Sequence, residues 1–191
     1  MLKKFIVLSV SIFLVCFSLV YAIDKISIDK NHSTMGFNVP IMGGLSKVTG
    51  KFTDFTVDAD WNDADPSLST ISVTIQASSI NTGIEKRDNH LRSADFFDVD
   101  NYPTITFVSS SIEGTGSDFV VKGTFTMRGV SKEMTLYMTK EEVTSPEDQS
   151  TIKSFKVAGS LNRTDYGVNW KHQVPDFVGD IIDMDIVILT R

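Results

Sequence analysis

Apolar and polar residues alternate with the two-residue period of a β-strand along most of the chain after the first twenty or so positions. The alternating runs cover positions 35–39, 48–61, 71–77, 105–108, 119–127, 130–138, 155–161 and 181–189. Most connections between these runs are short, which favours antiparallel neighbours. Because a sheet of about eight strands must hide its edges, the pattern predicts an all-β fold, an eight-stranded antiparallel up-and-down barrel. A β-sandwich is the alternative that the pattern leaves open.

The run at 48–61 changes its alternation part of the way along. Apolar positions up to Phe52 share one parity, and those from Phe55 onward share the other. One extra residue at Thr53-Asp54 produces such a switch, which is the signature of a β-bulge. We therefore expect the strand to bend there and to help the sheet curl.

One charged stretch, 87–98, breaks the strand pattern and has the spacing of a short helix. Thr82, with Glu85 three residues later, fits a capping box for its start. Pro103 excludes helix beyond Tyr102. We expect this short helix to cover one end of the barrel; a solvated connecting helix with ordinary ion pairs is the alternative.

The first residues, 1–22, have the composition of a secretory signal peptide. Lys3-Lys4 form a basic start, positions 5–20 are apolar, and a small-residue cleavage site ends at Ala22. A transmembrane anchor is the alternative, but the apolar run is shorter than the roughly 20 residues that a spanning helix needs. We therefore expect cleavage and export.

Removal of this segment would leave one domain, 23–191, without cysteine, because Cys16 is the only cysteine of the chain. Such a domain depends on its hydrophobic core and not on disulfides. The segment contains Lys3 and Lys4 as its only charged residues, so its loss takes the net charge from −6 to −8. An acidic exported domain is a poor nucleic-acid binder, and we expect no nucleic-acid partner.

The predicted interior has features of a ligand cavity. An eight-stranded barrel is wide enough to be filled by side chains or to hold one small ligand. Glycines within the runs, at positions 36, 50, 123 and 159, indicate bends or room beside a ligand. The chain contains 13 phenylalanines and 7 methionines, and side chains of these types form adaptable apolar walls. We expect an apolar cavity; a core filled by these side chains is the alternative.

A set of motifs is spread along the chain. They are His32-Ser33, Phe37, Gly50-Lys51-Phe52, Arg87-Asp88, His90-Leu91-Arg92-Ser93, Asp95-Phe96-Phe97-Asp98, Tyr102-Pro103 before Phe107, Gly123 with Thr126, Arg128-Gly129-Val130, Asn162-Arg163 and Asp165-Tyr166-Gly167. With these motifs, residues 24–190 resemble the YceI-like family of periplasmic, lipocalin-like polyisoprenoid-binding proteins. The run from Arg87 to Asp98 is the most specific of them.

The resemblance implies a periplasmic protein of the bacterial cell envelope that holds a long isoprenoid lipid, of the polyprenyl phosphate or quinone type, inside an apolar barrel. On this basis the candidate head-group residues are His32, Arg87, His90, Arg92 and Arg163. The candidate residues of the apolar tunnel are Phe37, Leu91, Phe96, Phe125 and Trp170. Arginine can bind a phosphate bidentately, and histidine can donate to a quinone carbonyl.

The motifs predict no catalytic residue, no metal site and no cofactor apart from a bound isoprenoid lipid. His32, His90 and His172 are the only histidines, and their spacing fits no metal template. The alternative functions are an envelope stress or scavenging module without stable lipid and, less favoured, an enzyme that modifies a lipid head group. A homodimer and a transient membrane contact stay open.

Overall fold

One curled antiparallel sheet forms most of the structure, a computed structural model that describes residues 24–170, 173–175 and 177–191. The predicted signal peptide, 1–22, and His172 lie outside these residues. Eleven strands and one α-helix occur in the described chain. They are β1 (Asp24–Lys25), β2 (Thr34–Ile41), β3 (Ser46–Phe52), β4 (Phe55–Trp61), β5 (Thr70–Gln76), β6 (Ile80–Asn81), α1 (Glu85–Arg92), β7 (Thr104–Thr115), β8 (Asp118–Met127), β9 (Val130–Thr144), β10 (Thr151–Asn162) and β11 (Ile181–Leu189).

The pairing of these strands closes into a ring. β3 and β4 are two halves of one bent run, β5 and β6 are two halves of the next, and β3 pairs with β6 as β4 pairs with β5. β5 pairs with β7, and each strand from β7 to β10 then pairs with the following one. β11 pairs with β2, and β2 pairs with β3. Counted as paths, these are eight antiparallel strands, which confirms the predicted up-and-down barrel.

The bend predicted at Thr53-Asp54 separates β3 from β4. The Thr53 amide donates to the Ser79 carbonyl at 3.1 Å, and the Gln76 amide donates to the Asp54 carbonyl at 3.0 Å, so pairing continues across the bend. The parity switch has a packing cause, because Phe52 and Phe55, three positions apart, are both buried in the core.

Alternating strand directions place the connections at two opposite ends of the barrel. The first end, called the mouth, contains the hairpin 42–45, α1 with the following loop 93–103, the hairpin 128–129 and the described residues of the loop 163–180. The second, called the far end, contains the segment 26–33, the loop 62–69, the turn 116–117 and the loop 145–150. The two ends are therefore built from different stretches of sequence.

Trp61 closes the far end of the barrel. Its side chain is 2% exposed, and its ring centroid lies 5.1 Å from that of Phe119 and 5.3 Å from that of Phe155. The indole Nε1 donates to Asp63 Oδ1 at 2.7 Å, and the Lys140 ammonium lies 5.6 Å from the ring centroid. An apolar ring with its polar edge satisfied thus plugs this end.

Asp63 is the centre of a charged network at the far end. It accepts hydrogen bonds from Lys140, at 2.7 Å, and from Lys153. Burial raises the pKa of Asp63, but the hydrogen bonds from the two lysines together with the one from Trp61 outweigh it and lower the pKa from 3.8 to about 2. The carboxylate is therefore ionised at neutral pH and ties three segments together.

The helix α1 lies at the mouth, as predicted, but its cap differs from the prediction. Its N-cap is Ile84, which makes no side-chain cap bond, so the capping box of Thr82 and Glu85 was wrong. Instead the buried Asp88 carboxylate accepts from the Thr82 amide at 2.9 Å and from its hydroxyl at 2.6 Å. Within the described residues, no helix is long and apolar enough to cross a bilayer.

Candidate functional site

An apolar cavity of about 590 Å³ extends from the mouth into the barrel. Its wall consists of inward-facing side chains of the strands, and residues of α1 and of the loop 163–180 cover it. The volume lies within the range of about 300–1,000 Å³ that is usual for ligand pockets. The polar side chains that the structure describes in the lining are Lys86, Arg87, His90 and Arg163, and all four are basic.

The five predicted tunnel residues all lie in the lining of this cavity. They are Phe37, Leu91, Phe96, Phe125 and Trp170. Phe125 is buried, with its ring centroid 5.4 Å from that of Tyr166 in an edge-to-face contact. The structure therefore brings together around one cavity five residues that lie far apart in the sequence.

An aromatic cluster surrounds His90 at the mouth. The His90 ring centroid lies 5.1 Å from that of Phe96 and 5.2 Å from that of Trp170, and both contacts are edge-to-face. The Nε2 atom of His90 lies 2.8 Å from Asp95 Oδ2. Among the described residues, no group of three His, Cys, Asp or Glu side chains could hold a metal ion. His90 is thus an oriented polar group within an aromatic rim.

Arg87 is fixed at the mouth by neutral partners. Its Nε donates to the Thr82 hydroxyl at 2.7 Å, and its Nη2 donates to the Thr82 carbonyl at 2.9 Å. The adjacent Lys86 is exposed. Neither Arg87 nor Lys86 forms an ion pair with a carboxylate of the described chain. Two positive charges therefore stand at the cavity entrance without a direct ion pair in the part of the chain that is described, and Arg87 reaches the Asp88 carboxylate only through the Thr82 hydroxyl.

Arg163 lines the cavity but is engaged with its own loop. It is 4% exposed. Its Nε donates to the Gly179 carbonyl at 3.0 Å, and its Nη1 donates to the carbonyls of Val168 and Trp170 at 2.8 and 2.9 Å. Its Nη2 donates to Asp180 Oδ1 at 2.7 Å. These bonds fix the loop over the mouth, so Arg163 is a structural arginine in this conformation.

Two of the candidate head-group residues lie elsewhere. His32 precedes β2 at the far end, where its Nδ1 lies 2.8 Å from Asp29 Oδ2. Arg92 donates to the carbonyls of Ser78 and Ile80 at 2.7 and 2.8 Å and so attaches α1 to the barrel. The structure does not bring these two side chains to the cavity. For His32 the reason is strand direction, which puts the start of β2 opposite the mouth.

The lining also contains residues that the sequence did not single out. Val39 and Ile41 continue the inward parity of Phe37, and that periodicity could have identified them. Lys86 had no such signal, because an exposed lysine on a helix usually faces solvent.

Two glycines of the strands, Gly50 and Gly123, make room for rings of the protein itself. A Cβ atom at Gly50 would lie 2.3 Å from Cζ of Phe37, and one at Gly123 would lie 2.6 Å from Cζ of Phe107. Because Phe37 and Gly50 are register partners, the ring lies across the glycine on the inner wall. Gly50 thus lets Phe37 lie flat and leaves the centre of the barrel open.

Comparison with known proteins supports the same family. The model of the YceI-like domain matches residues 27–189. A UPF0312 protein of Staphylococcus aureus strain MSSA476 is 36% identical over 159 residues, which cover 83% of this chain and 90% of the relative. The match therefore includes nearly all of the barrel.

Two solved structures show a similar fold. BcnA of Burkholderia cenocepacia has a TM-score of 0.77 at 20% identity, over 86% of this chain and all of the other. A polyisoprenoid binding domain from Saccharophagus degradans, implicated in plant cell wall breakdown, has a TM-score of 0.58 at 15% identity, over 86% of this chain and 97% of the other. At these identities the likeness concerns the fold alone. Since the domain model and the staphylococcal relative both span most of the barrel, the chain belongs to the YceI-like family.

Proposed function

We propose that this protein binds a long isoprenoid lipid inside its barrel and carries it in the periplasm. Residues 1–22 would direct export of the protein to that compartment. The observation that carries the proposal is the cavity of about 590 Å³, apolar in its depth and basic at its mouth. The likeness in fold to a polyisoprenoid binding domain is consistent with such a ligand. We propose a binding protein and not an enzyme.

An isoprenoid tail and its head group would contribute differently to binding. Each methylene group that leaves water contributes about 0.8 kcal/mol, so the tail supplies most of the affinity. Ordering a flexible tail offsets part of this gain. The head group, held at the mouth, would then decide which of several lipids with similar tails is bound.

The mouth favours an anionic head group. Lys86 and Arg87 have no carboxylate partner in the described chain, and a phosphate would supply one through charge-assisted hydrogen bonds. His90 favours the second candidate, a quinone, because a histidine can donate to a carbonyl. One His90 ring nitrogen is already held by Asp95, however, so we place the polyprenyl phosphate first.

The double variant Lys86→Gln/Arg87→Gln tests the head group. We expect it to bind farnesyl phosphate about 100-fold more weakly or worse, because it loses two charge-assisted hydrogen bonds and each costs roughly 1.5–3 kcal/mol. Binding of farnesol, which has the same tail without charge, should stay unchanged. Titration followed by tryptophan fluorescence measures both affinities, since Trp170 lines the cavity.

Lys51→Gln is the matched control for this experiment, because Lys51 is exposed and absent from the cavity lining. Equal weakening of both ligands in the double variant would contradict an anionic head group. If the purified protein binds neither probe, and native mass spectrometry detects no extractable lipid, the carrier proposal is wrong and the scavenging module is favoured.

The rim of the mouth has the features of a membrane contact. Leu45, at the tip of the hairpin 42–45, is 90% exposed, and Met42 is 49% exposed. Lys47, next to this hairpin, and Lys86 are exposed as well. Apolar side chains beside lysines suit the interface of an anionic bilayer. We therefore extend the proposal to transient contact of this rim with such a membrane, where the lipid would enter.

Substituting Met42→Ser and Leu45→Ser together should weaken association with vesicles that contain phosphatidylglycerol, by about tenfold, since two exposed apolar side chains lose their insertion energy. Co-sedimentation measures this association. Tyr137→Ser, at a residue 64% exposed on the barrel wall, is the control and should change nothing. Binding of farnesyl phosphate in solution should be the same in all variants. Unchanged vesicle association in the double variant would disprove the rim as the contact.

A further inference from the structure

A second apolar cavity, of about 100 Å³, lies beyond the first, toward the far end of the barrel. Its lining includes Ile28, Trp61 and Ile188, which belong to that end. Five residues line both cavities: Met35, Ile75, Phe125, Met184 and Ile186. We call these five residues the waist and the smaller cavity the far chamber.

The waist closes from opposite walls of the barrel. Met35 on β2 and Ile186 on β11 are register partners, and Met184 lies two residues from Ile186 on the same face. Ile75 on β5 and Phe125 on β8 flank β7, which pairs with both strands. In a ring of eight strand paths, β7 and β8 stand across from β2 and β11. The waist is therefore one layer of side chains between the two cavities.

The two walls of the waist differ in stiffness. Phe125 is buried against Tyr166, and Ile75 is buried and β-branched, so this side is held in place. The opposite side contains, besides Ile186, the residues Met35 and Met184, whose unbranched side chains rotate about three bonds. A narrow hydrocarbon chain could pass once the methionines change rotamer, with no movement of the backbone.

The far chamber can accept only hydrocarbon. Every residue that the structure describes in its lining is apolar. The Trp61 ring, packed against Phe119 and Phe155, closes the chamber toward the far end. A polar head group there would lose its hydrogen bonds to water without replacement. The chamber is thus a blind apolar pocket in line with the tail-binding cavity.

We infer that the far chamber receives the terminal end of the lipid tail, and that the waist makes the protein select tails by length. This inference rests on the proposed function, because it concerns the tail of the same ligand. A tail that ends before the waist leaves the chamber empty. A longer tail gains additional burial, worth about fourfold in affinity for each methylene group.

The variant Val73→Phe tests this inference, because Val73 lines the far chamber and not the first cavity. The larger ring fills the chamber. We expect affinity to fall about tenfold or more for the longest polyprenyl phosphate that the wild type binds, and to stay unchanged for farnesyl phosphate. The readout is the ratio of the two dissociation constants, measured by tryptophan fluorescence or by competition in native mass spectrometry.

Val108→Phe is the matched control, because Val108 is exposed on the outer face of β7. Val57→Leu, at the register partner of Val73, is a milder filling of the same chamber if the phenylalanine variant does not fold.

Met184→Ala widens the waist and should shift the preference toward longer tails. Equal affinities for short and long tails in the wild type, or a loss in Val73→Phe that is the same for every length, would overturn the length inference alone. Absence of binding for every polyprenyl phosphate would overturn the proposed function as well.

Discussion

Replacing Phe37 by aspartate is expected to lower the affinity for a polyprenyl phosphate by about 100-fold or more, while the barrel stays folded. Phe37 lines the cavity, and its ring centroid lies 5.6 Å from that of Phe52. In the empty barrel, water in the cavity can hydrate the new carboxylate. A bound tail would remove that water, and leaving an unpaired ion without water costs several kcal/mol. Calorimetric titration measures the affinity, and circular dichroism monitors the fold.

The neighbouring residue supplies the control. Asn38→Asp adds the same charge one position along β2, on the outer face, and its carboxylate can still accept the hydrogen bond that the Thr49 hydroxyl donates at 2.8 Å. This variant should bind lipid as the wild type does. If both variants lose affinity equally, the effect comes from net charge and not from the interior. If Phe37→Asp binds normally, the ligand does not occupy this cavity.

The barrel could be predicted because a sheet with one buried face requires apolar and polar residues to alternate along each strand. The parity switch between Phe52 and Phe55 located the bend that divides the long run. The same inward parity placed Phe37 and Phe125 correctly in the cavity lining. Periodicity reports which face a residue occupies, and here that was enough for the wall of the site.

The placement of polar groups could not be predicted from periodicity. His32 carries a family motif, yet it lies at the far end, because position along the barrel depends on strand direction and not on parity. Arg92 donates to the carbonyls of Ser78 and Ile80, backbone acceptors that need a hydrogen-bond donor. Such partners belong to the tertiary structure, since local sequence does not state which buried acceptors a long side chain will reach.

The glycines show the same limit. Each of them was compatible with a bend or with room for a ligand, and the sequence had no means to choose. Gly50 in fact accommodates the ring of Phe37 from the neighbouring strand, a relation that depends on register. At this position the glycine therefore serves cross-strand packing between two residues of the protein.

Replacing Arg163 by methionine is expected to lower the free energy of unfolding by about 2–4 kcal/mol. The Val168 carbonyl is left buried without a donor, which costs roughly 1–3 kcal/mol, and the hydrogen bond to the half-exposed Asp180 carboxylate is lost as well. The substitution leaves the carbonyls of Val168, Trp170 and Gly179, and the Asp180 carboxylate, without their donor. The loss at the Val168 carbonyl is the most costly, because Val168 is buried and water cannot replace the missing donor there. Urea unfolding, analysed with an unchanged m value, measures the loss.

An exposed ion pair of the same loop is the control for this loss. Lys132 lies 3.5 Å from Asp165, and both side chains are exposed, so Lys132→Met should cost about 0–1 kcal/mol. The comparison also separates the two roles that Arg163 could have. A large loss of stability identifies it as the residue that fixes the loop over the mouth. A loss of stability as small as that of Lys132→Met, combined with strongly weakened binding of farnesyl phosphate but normal binding of farnesol, would instead make Arg163 a head-group residue.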